Sequence, residues 1–489
     1  MLRKLAVVLF IAAAAFADEA TTAARLESLR DDPLLLRRFL EQMPKGGDLH
    51  QHLSGAAYSE TFIALAAKDK LCIDVDALAY ETCDTEGNHV PASQALTDGA
   101  LYSKMLDALS MRQYRGDESG HDRFFATFGR FGAVSRNHVN EMLAEVVSRF
   151  ARENVDYIES LFGQDLGTAR NLGRKIQPGA SFDEMRSYLL QNGARDVVAA
   201  SRKTTNDAES YLRTSLGCSS VTPQPGCGST VRYLFETHRA FPREQLFAEL
   251  VVGFELAIAD SRVVGINSVQ AEDTYASMTT FDELMRMFEY LRPLYPNVRV
   301  SLHAGELANG LVPPEGMQNH VRDSVLRARA ERIGHGVDIA RERDALDLLG
   351  TMASRRTAVE ICLTSNDVIL GVAGKRHPLR LYMRSGVPVV LGTDDPGVAR
   401  ADMTTEWQRA VEEHGATYEE LKRFARNSIE YSFLEGESLW SDRGYTSRAE
   451  PCREEQSAAC TAFLDANAKA RVGMRLERRL REFEGAAPR

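Results

Sequence analysis

Two of the chain's eleven histidines fall inside one tripeptide of "LHQHLSGA", Leu49 to Ala56. His50 and His52 stand at i and i+2, so on a strand both imidazoles project to the same side. Directed inward, they could share a cation. Three further segments carry residues of the same chemistry. "VRVSLHAGE" closes an apolar run with His303 and sets Glu306 three residues later, after a glycine. "RIGHGVD" holds His335 between two glycines, which leave room for a ligand to approach its backbone. "VPVVLGTDDPGV" ends in Asp394 and Asp395, with Pro396 and Gly397 enforcing a turn. Each motif alone has an ordinary reading: an Asp-Asp-Pro after a strand is usually a helix cap, and a lone buried histidine is usually a hydrogen-bonded core residue. The four together, each at the end of an expected strand, read differently. Three imidazoles and a carboxylate suit one Zn2+ per chain, because catalytic zinc takes nitrogen and oxygen ligands and keeps a position open for water. The remaining Glu, His and Asp of these segments could then be the acid, base and orienting groups that a hydrolysis requires.

The elements that must position these residues are legible as short apolar or β-branched runs at 48–53, 155–160, 231–237, 263–269, 298–305, 332–337, 358–363 and 387–393. Longer amphipathic stretches at 181–203, 243–259 and 280–295 lie between them. Strands alternating with helices give an α/β fold with a parallel sheet, and eight such units predict a (β/α)8 TIM barrel with insertions. The rival is an open doubly wound sheet, but no GxGxxG loop follows the first strand. In a barrel of this kind chemistry sits where strands give way to the following loops, which is where the four motifs fall. A single domain is expected over 18–489. It has an N-terminal helical segment with Asp32-Pro33 as a helix start, insertions near 72–120 and 204–230, and a helical tail from about 440. The loop "LVPPEG" (311–316) is expected to cover the site. His238 ends a strand and could face the same pocket. His89, His121, His138, His320, His377 and His414 read as ordinary residues of insertions, helices and loops.

A net charge of −10 argues against a nucleic-acid polymer or an anionic membrane surface as the main partner. Residues 1–17 have the three parts of a secretory signal peptide: the basic start "MLRK", the apolar run "LAVVLFIAAAAF" and the small-x-small "AFA". Cleavage is expected after Ala17, and the run is too short to span a bilayer, so the mature protein would be secreted or periplasmic with no membrane attachment. Seven cysteines suit an oxidising compartment. Sequence alone does not select a connectivity. Pairing between near neighbours, Cys72 with Cys83, Cys218 with Cys227 and Cys452 with Cys460, is the working expectation, because each couple flanks turn-rich or polar sequence. Cys362, in the apolar run "AVEICLTSN", is left over as a small core residue.

"PKGGDLHQHLSGA", "SLHAGE", "RIGHGVD", "EICLTSN" and "LGTDDPGV", in that order and followed by "RNSIEYSFL" (426–434), resemble the signature segments of the adenosine deaminase family of zinc hydrolases. The leader and "CSSVTPQPGCGSTVRYLFETHRAFP" are similar to secreted bacterial members. The resemblance implies that His50, His52, His303 and Asp394 are the zinc ligands. It implies that Glu306 protonates purine N1, that His335 orients and deprotonates the attacking water, and that Asp395 holds the base through a ring nitrogen. Zinc lowers the pKa of a water from 15.7 to about 7, and attack at C6 of adenosine, or of 2′-deoxyadenosine, would release ammonia and leave inosine. Glu306 must then be a carboxylic acid at working pH, which burial would provide. Two positions depart from the family pattern. Ser54 stands where many members have an aspartate that grips the ribose 5′-hydroxyl, and Gln270 where a glycine usually offers its N–H to purine N3. Both bear on substrate range, so 5′-modified adenosines and AMP stand beside adenosine as candidates. A secreted nucleoside-binding protein that lost activity is the alternative of another class. The complete set of matched ligands and acid favours an enzyme. The other zinc deaminase architecture, built on His-x-Glu and Pro-Cys-x-x-Cys, is absent from the sequence.

Overall fold

The computed structural model describes residues 19–83, 88–115 and 119–486; the expected leader, 1–17, lies outside them. Eight strands form one parallel sheet in chain order. They are β1 (Gly46–His52), β2 (Val155–Leu161), β3 (Thr230–His238), β4 (Val263–Val269), β5 (Arg299–Ala304), β6 (Arg332–His335), β7 (Ala358–Ile361) and β8 (Val389–Leu391). Each neighbouring pair is parallel. The sheet closes into a barrel through a parallel bridge between Gln51 and Asp394. There His52 N–H donates to Asp394 O at 3.0 Å and Asp394 N–H to His50 O at 2.8 Å. The closing seam is therefore made by the backbone of candidate ligand residues.

The period of two sorts each strand into two faces. On β5, Val300, Leu302 and Ala304 join the main apolar cluster, while Ser301 bonds to Glu360 and His303 to Asn267 on other strands. On β7, Val359 and Ile361 join that cluster and Glu360 faces the barrel axis with Ser301 and His50. The barrel interior is thus partly ionic. Arg332 reaches Glu159 at 2.6 Å and also bonds Glu360, and all three are buried. Burying charges costs free energy unless each is paired and hydrogen-bonded. These are: Glu159 also accepts from Tyr157 Oη–H at 2.6 Å.

Between β1 and β2 the chain adds a small antiparallel sheet, in which Cys72–Asp74 pairs with Ala79–Glu81 and His89–Pro91. The stretch expected as one helix over 181–203 is two, Phe182–Gln191 and Ala194–Ser215. Ser181 and Glu184 form a capping box at the first, and Gly193, with φ of 121°, turns the chain between them. Residues 204–215 belong to the second helix, so the added loop before β3 is shorter than the 204–230 read from sequence. Asp32 caps the helix Pro33–Gln42, accepting from Leu35 N–H at 3.1 Å. The tail carries helices Ala458–Ala466 and Ala468–Gly485. Disulfides join Cys72 to Cys83, Cys218 to Cys227 and Cys452 to Cys460. Cys362 is free and buried. No helix among the described residues is long and apolar enough to cross a membrane.

Candidate active site

His50 and His52 at the end of β1, His303 near the end of β5 and Asp394 just after β8 bring four ligand atoms together. His50 Nε2 and His52 Nε2 lie 3.0 and 3.1 Å from His303 Nε2. They lie 3.5 and 3.3 Å from Asp394 Oδ1. A tetrahedron with zinc–ligand bonds of about 2.0–2.1 Å has edges of about 3.3 Å, so the spacing suits that ion. The hydrogen bonds on the far side of each ring give a second test. His50 Nδ1 faces Glu360 at 2.7 Å, His52 Nδ1 faces Glu236 at 3.2 Å and His303 Nδ1 faces Asn267 Oδ1 at 2.8 Å. Asn267 Oδ1 also accepts the backbone N–H of His303 at 3.2 Å, which fixes it as the oxygen. Facing acceptors, each neutral ring carries its proton on Nδ1 and aims an Nε2 lone pair at the other two. Three converging lone pairs repel unless a cation sits among them, and such outer partners are what orient metal-binding imidazoles.

Close approach decides one glycine here. A Cβ on Gly334 would come within 2.5 Å of His50 Cε1, so only glycine lets β6 pass that ring. Two site residues also hold left-handed backbone, His335 (φ 67°) and Asp394 (φ 59°), a cost that recurs at functional sites. Asp394 Oδ2 accepts from Ser365 Oγ–H at 2.5 Å, which leaves Oδ1 for the ligand cluster.

Glu306 is buried, and its Oε1 has no hydrogen-bond partner among the described residues. It lies 3.7 Å from His335 Nδ1. Burial first, then the nearby Asp394 and Glu272 carboxylates, pushes its acid well above the usual carboxylate range. The turn that presents it is pinned from behind. Gly305 and Glu306 N–H donate to the two oxygens of Glu272 at 3.0 and 2.7 Å, and His320 Nδ1 holds Glu272 at 2.5 Å. Burial and then Asp394 likewise raise Asp395, so it too is an acid that can donate. His335 is fully buried, and burial above all holds its imidazole down at about 3.

Residues 214–439 match the family model described as adenosine deaminase, and this segment contains His303, Glu306, His335, Asp394 and Asp395. Over this segment the chain is similar to the adenosine deaminase family. The adenosine deaminase of Escherichia coli is 34% identical over 139 residues, 28% of this chain and 38% of that protein. The Salmonella dublin enzyme is 36% identical over 136 residues. The aligned part therefore spans about 38% of the length of these curated relatives. Among solved structures, adenine deaminase from Arthrobacter aurescens superposes with a TM-score of 0.52 at 16% identity, covering 89% of this chain and 99% of that one. Arabidopsis ADAL complexed with IMP gives 0.53 at 20%, covering 91% and 99%. An amidohydrolase from Burkhoderia ambifaria with bound Zn gives 0.51 at 18%, covering 91% and 94%. At such identities these three speak for the barrel alone.

A cavity of about 370 Å³ opens beside the ligand cluster, lined by His52, His303, Glu306, Asp394 and Asp395 together with Ser54 and Gln270. Gln270 keeps a glycine-like φ of 86°. Its side-chain Oε1 accepts from Ala240 N–H at 2.9 Å, which ties the amide to the neighbouring strand end. His238 lines the cavity, with Arg170 at 3.5 Å and Glu249 at 3.7 Å. The expected cover, 311–316, does not line the cavity. Val312 instead packs with Leu307 and Met317 in a small apolar cluster. The cover is the helix Gly120–Ser135, which contributes Phe124, Phe125 and Phe128. Sequence reasoning passed over Glu236, Asn267, Glu272 and Glu360. Their one signal was a polar residue interrupting, or just following, an apolar strand run.

Proposed function

We propose that the protein catalyses the metal-dependent hydrolytic deamination of adenosine and 2′-deoxyadenosine to the corresponding inosine and ammonia. The observation that supports this reading is the meeting of four ligand atoms, one raised-pKa glutamate and one buried histidine beside a cavity that His52, His303, Glu306 and Asp394 line. Zinc, when bound by His50, His52, His303 and Asp394, would supply the Lewis acidity that lets a water act as nucleophile near neutral pH. The chain's own residues do the rest. Glu306, kept as an acid, gives its proton to N1 as the water oxygen bonds to C6, so charge does not accumulate on the ring. Asp395 donates to a ring nitrogen and fixes the base. His335 orients the water. The C6–N bond then breaks: one proton of the water leaves on the amino group as ammonia, the other restores the acid form of Glu306, and the proton given to N1 stays in the product.

A nucleoside fits better than a nucleotide. Among the described residues the cavity wall includes Glu236, Glu306, Asp394 and Asp395 but no lysine or arginine, and a phosphate dianion needs cationic or N–H partners to offset its desolvation. Ser54 is neutral and the Phe124–Phe128 wall is apolar, which favours uncharged 5′-substituted adenosines as further substrates over AMP. Export and removal of residues 1–17 complete the reading, supported by three disulfides between neighbouring cysteines. Purified mature protein, offered a panel of adenosine, 2′-deoxyadenosine, a 5′-thioether adenosine and AMP with and without chelator, should release ammonia from the uncharged nucleosides in a chelator-sensitive way. Tight nucleoside binding with stoichiometric zinc and no ammonia would instead identify a binding protein.

A further inference from the structure

His335 takes its protonation pattern from a relay that begins at a backbone amide. Leu379 N–H donates to His377 Nδ1 at 3.2 Å. A peptide N–H can only donate, so Nδ1 of neutral His377 bears a lone pair and its proton is on Nε2. That Nε2 lies 3.0 Å from Asn366 Oδ1. Rotating the Asn366 amide by half a turn would set its NH2 against the N–H of His377, two donors facing each other, so the oxygen must face His377. The Asn366 Nδ2 group is then the one 3.0 Å from His335 Nδ1. It can only donate, and His335 Nδ1 must accept. A neutral His335 is therefore the Nε2–H tautomer. Its Nε2 is buried without a hydrogen-bond partner among the described residues, and its ring packs against His50 and His303 with centroids 4.7 and 5.0 Å apart. All three members of the relay are buried, His377 the most exposed at 4%.

We propose that Asn366 and His377 are positioning residues that lock His335 as the Nε2–H tautomer, so that it holds the attacking water by donating a hydrogen bond rather than by taking a proton. This rests on the deaminase reading of the site and changes one role within it. Where a carboxylate backs a catalytic histidine, the partner fixes Nδ1–H and leaves Nε2 basic. Here an amide NH2 backs the ring and fixes the opposite arrangement, a neutral imidazole acting as donor. The lone pair of His335 is occupied by Asn366, and the nitrogen left over has a proton to give.

Two-bond 1H–15N correlation spectra of zinc-loaded protein labelled with 15N-histidine read the tautomer without substrate, and should show His335 protonated on Nε2. Asn366→Asp accepts from both neighbours and should move that proton to Nδ1, lowering kcat by about a hundredfold while KM and zinc content stay within about threefold. His377→Gln can still donate to Asn366 and should keep most of the turnover, whereas His377→Leu should lose it. Active wild-type protein with His335 protonated on Nδ1 overturns the proposal. Full kcat in Asn366→Asp alongside a moved proton also overturns it. Should that variant fail to fold, the wild-type spectrum and the His377 pair still decide. Wild-type protein that binds zinc, shows the Nε2–H tautomer and deaminates no nucleoside would refute the deaminase reading itself, a distinct result.

Discussion

In the proposed reaction Glu306 has to be an acid where most glutamates are anions, and its surroundings explain how. Burial and the nearby carboxylates of Asp394 and Glu272 outweigh the opposing charge of Arg239, Glu272 lies behind the Glu306 backbone, and water is largely excluded. Because burial raises its pKa, the protonated form present below that pKa is the active one, and turnover should fall as pH rises through it. Replacing it by glutamine keeps the shape and removes the transferable proton. Glu306→Gln should retain zinc by elemental analysis and lose about a thousandfold in kcat. Unimpaired ammonia release would take Glu306 out of the mechanism. In the proposed reaction Ser54 and Gln270 would bear on substrate range rather than on the chemistry, since both line the cavity, Gln270 is tied to Ala240 and Ser54 carries no charge.

At the scale of elements, each metal-facing imidazole is backed by an acceptor from a different strand: Glu236 of β3 behind His52, Asn267 of β4 behind His303, Glu360 of β7 behind His50. Glu360 is itself held. Burial alone would raise its pKa, but Arg332 of β6 and His50 outweigh that and bring it to about 2. A charged carboxylate behind His50 makes that ring a stronger ligand than an amide would. Glu360→Gln should therefore weaken zinc binding by about 10–100-fold in competition with a chromophoric chelator. An unchanged affinity would reduce Glu360 to a packing role.

For the whole molecule, the point of interest is where the barrel closes. β1 and β8 meet through the backbone of His50, His52 and Asp394, whose side chains converge with His303 of β5. An ion there would tie the closing seam to the middle of the sheet. By mass action, a ligand at a thousandfold over its Kd stabilises the native state by about 4 kcal/mol. Stripping the metal should lower Tm and speed amide exchange at His52 and Asp394 more than at Ile266 on β4. A Tm indifferent to chelator would show that the four side chains do not hold an ion in solution.

What the sequence determined by itself was local. The polar ends of strands, the eight apolar runs, the Asp32-Pro33 helix start and the cysteine neighbours are short-range patterns, and periodicity or turn chemistry suffices to read them. β4 falls on the run read at 263–269, and the other strands differ only at their ends, where pairing with a neighbour sets how far each extends. The break at Gly193 was missed because amphipathic periodicity continues across it. The tertiary structure alone decided the partners. Glu360 stands 310 residues from His50, and Asn366 stands 31 from His335. The cover came from the helix at 120–135 instead of the loop at 311–316. A hydrogen bond depends on two positions in space, and a linear pattern carries only one of them.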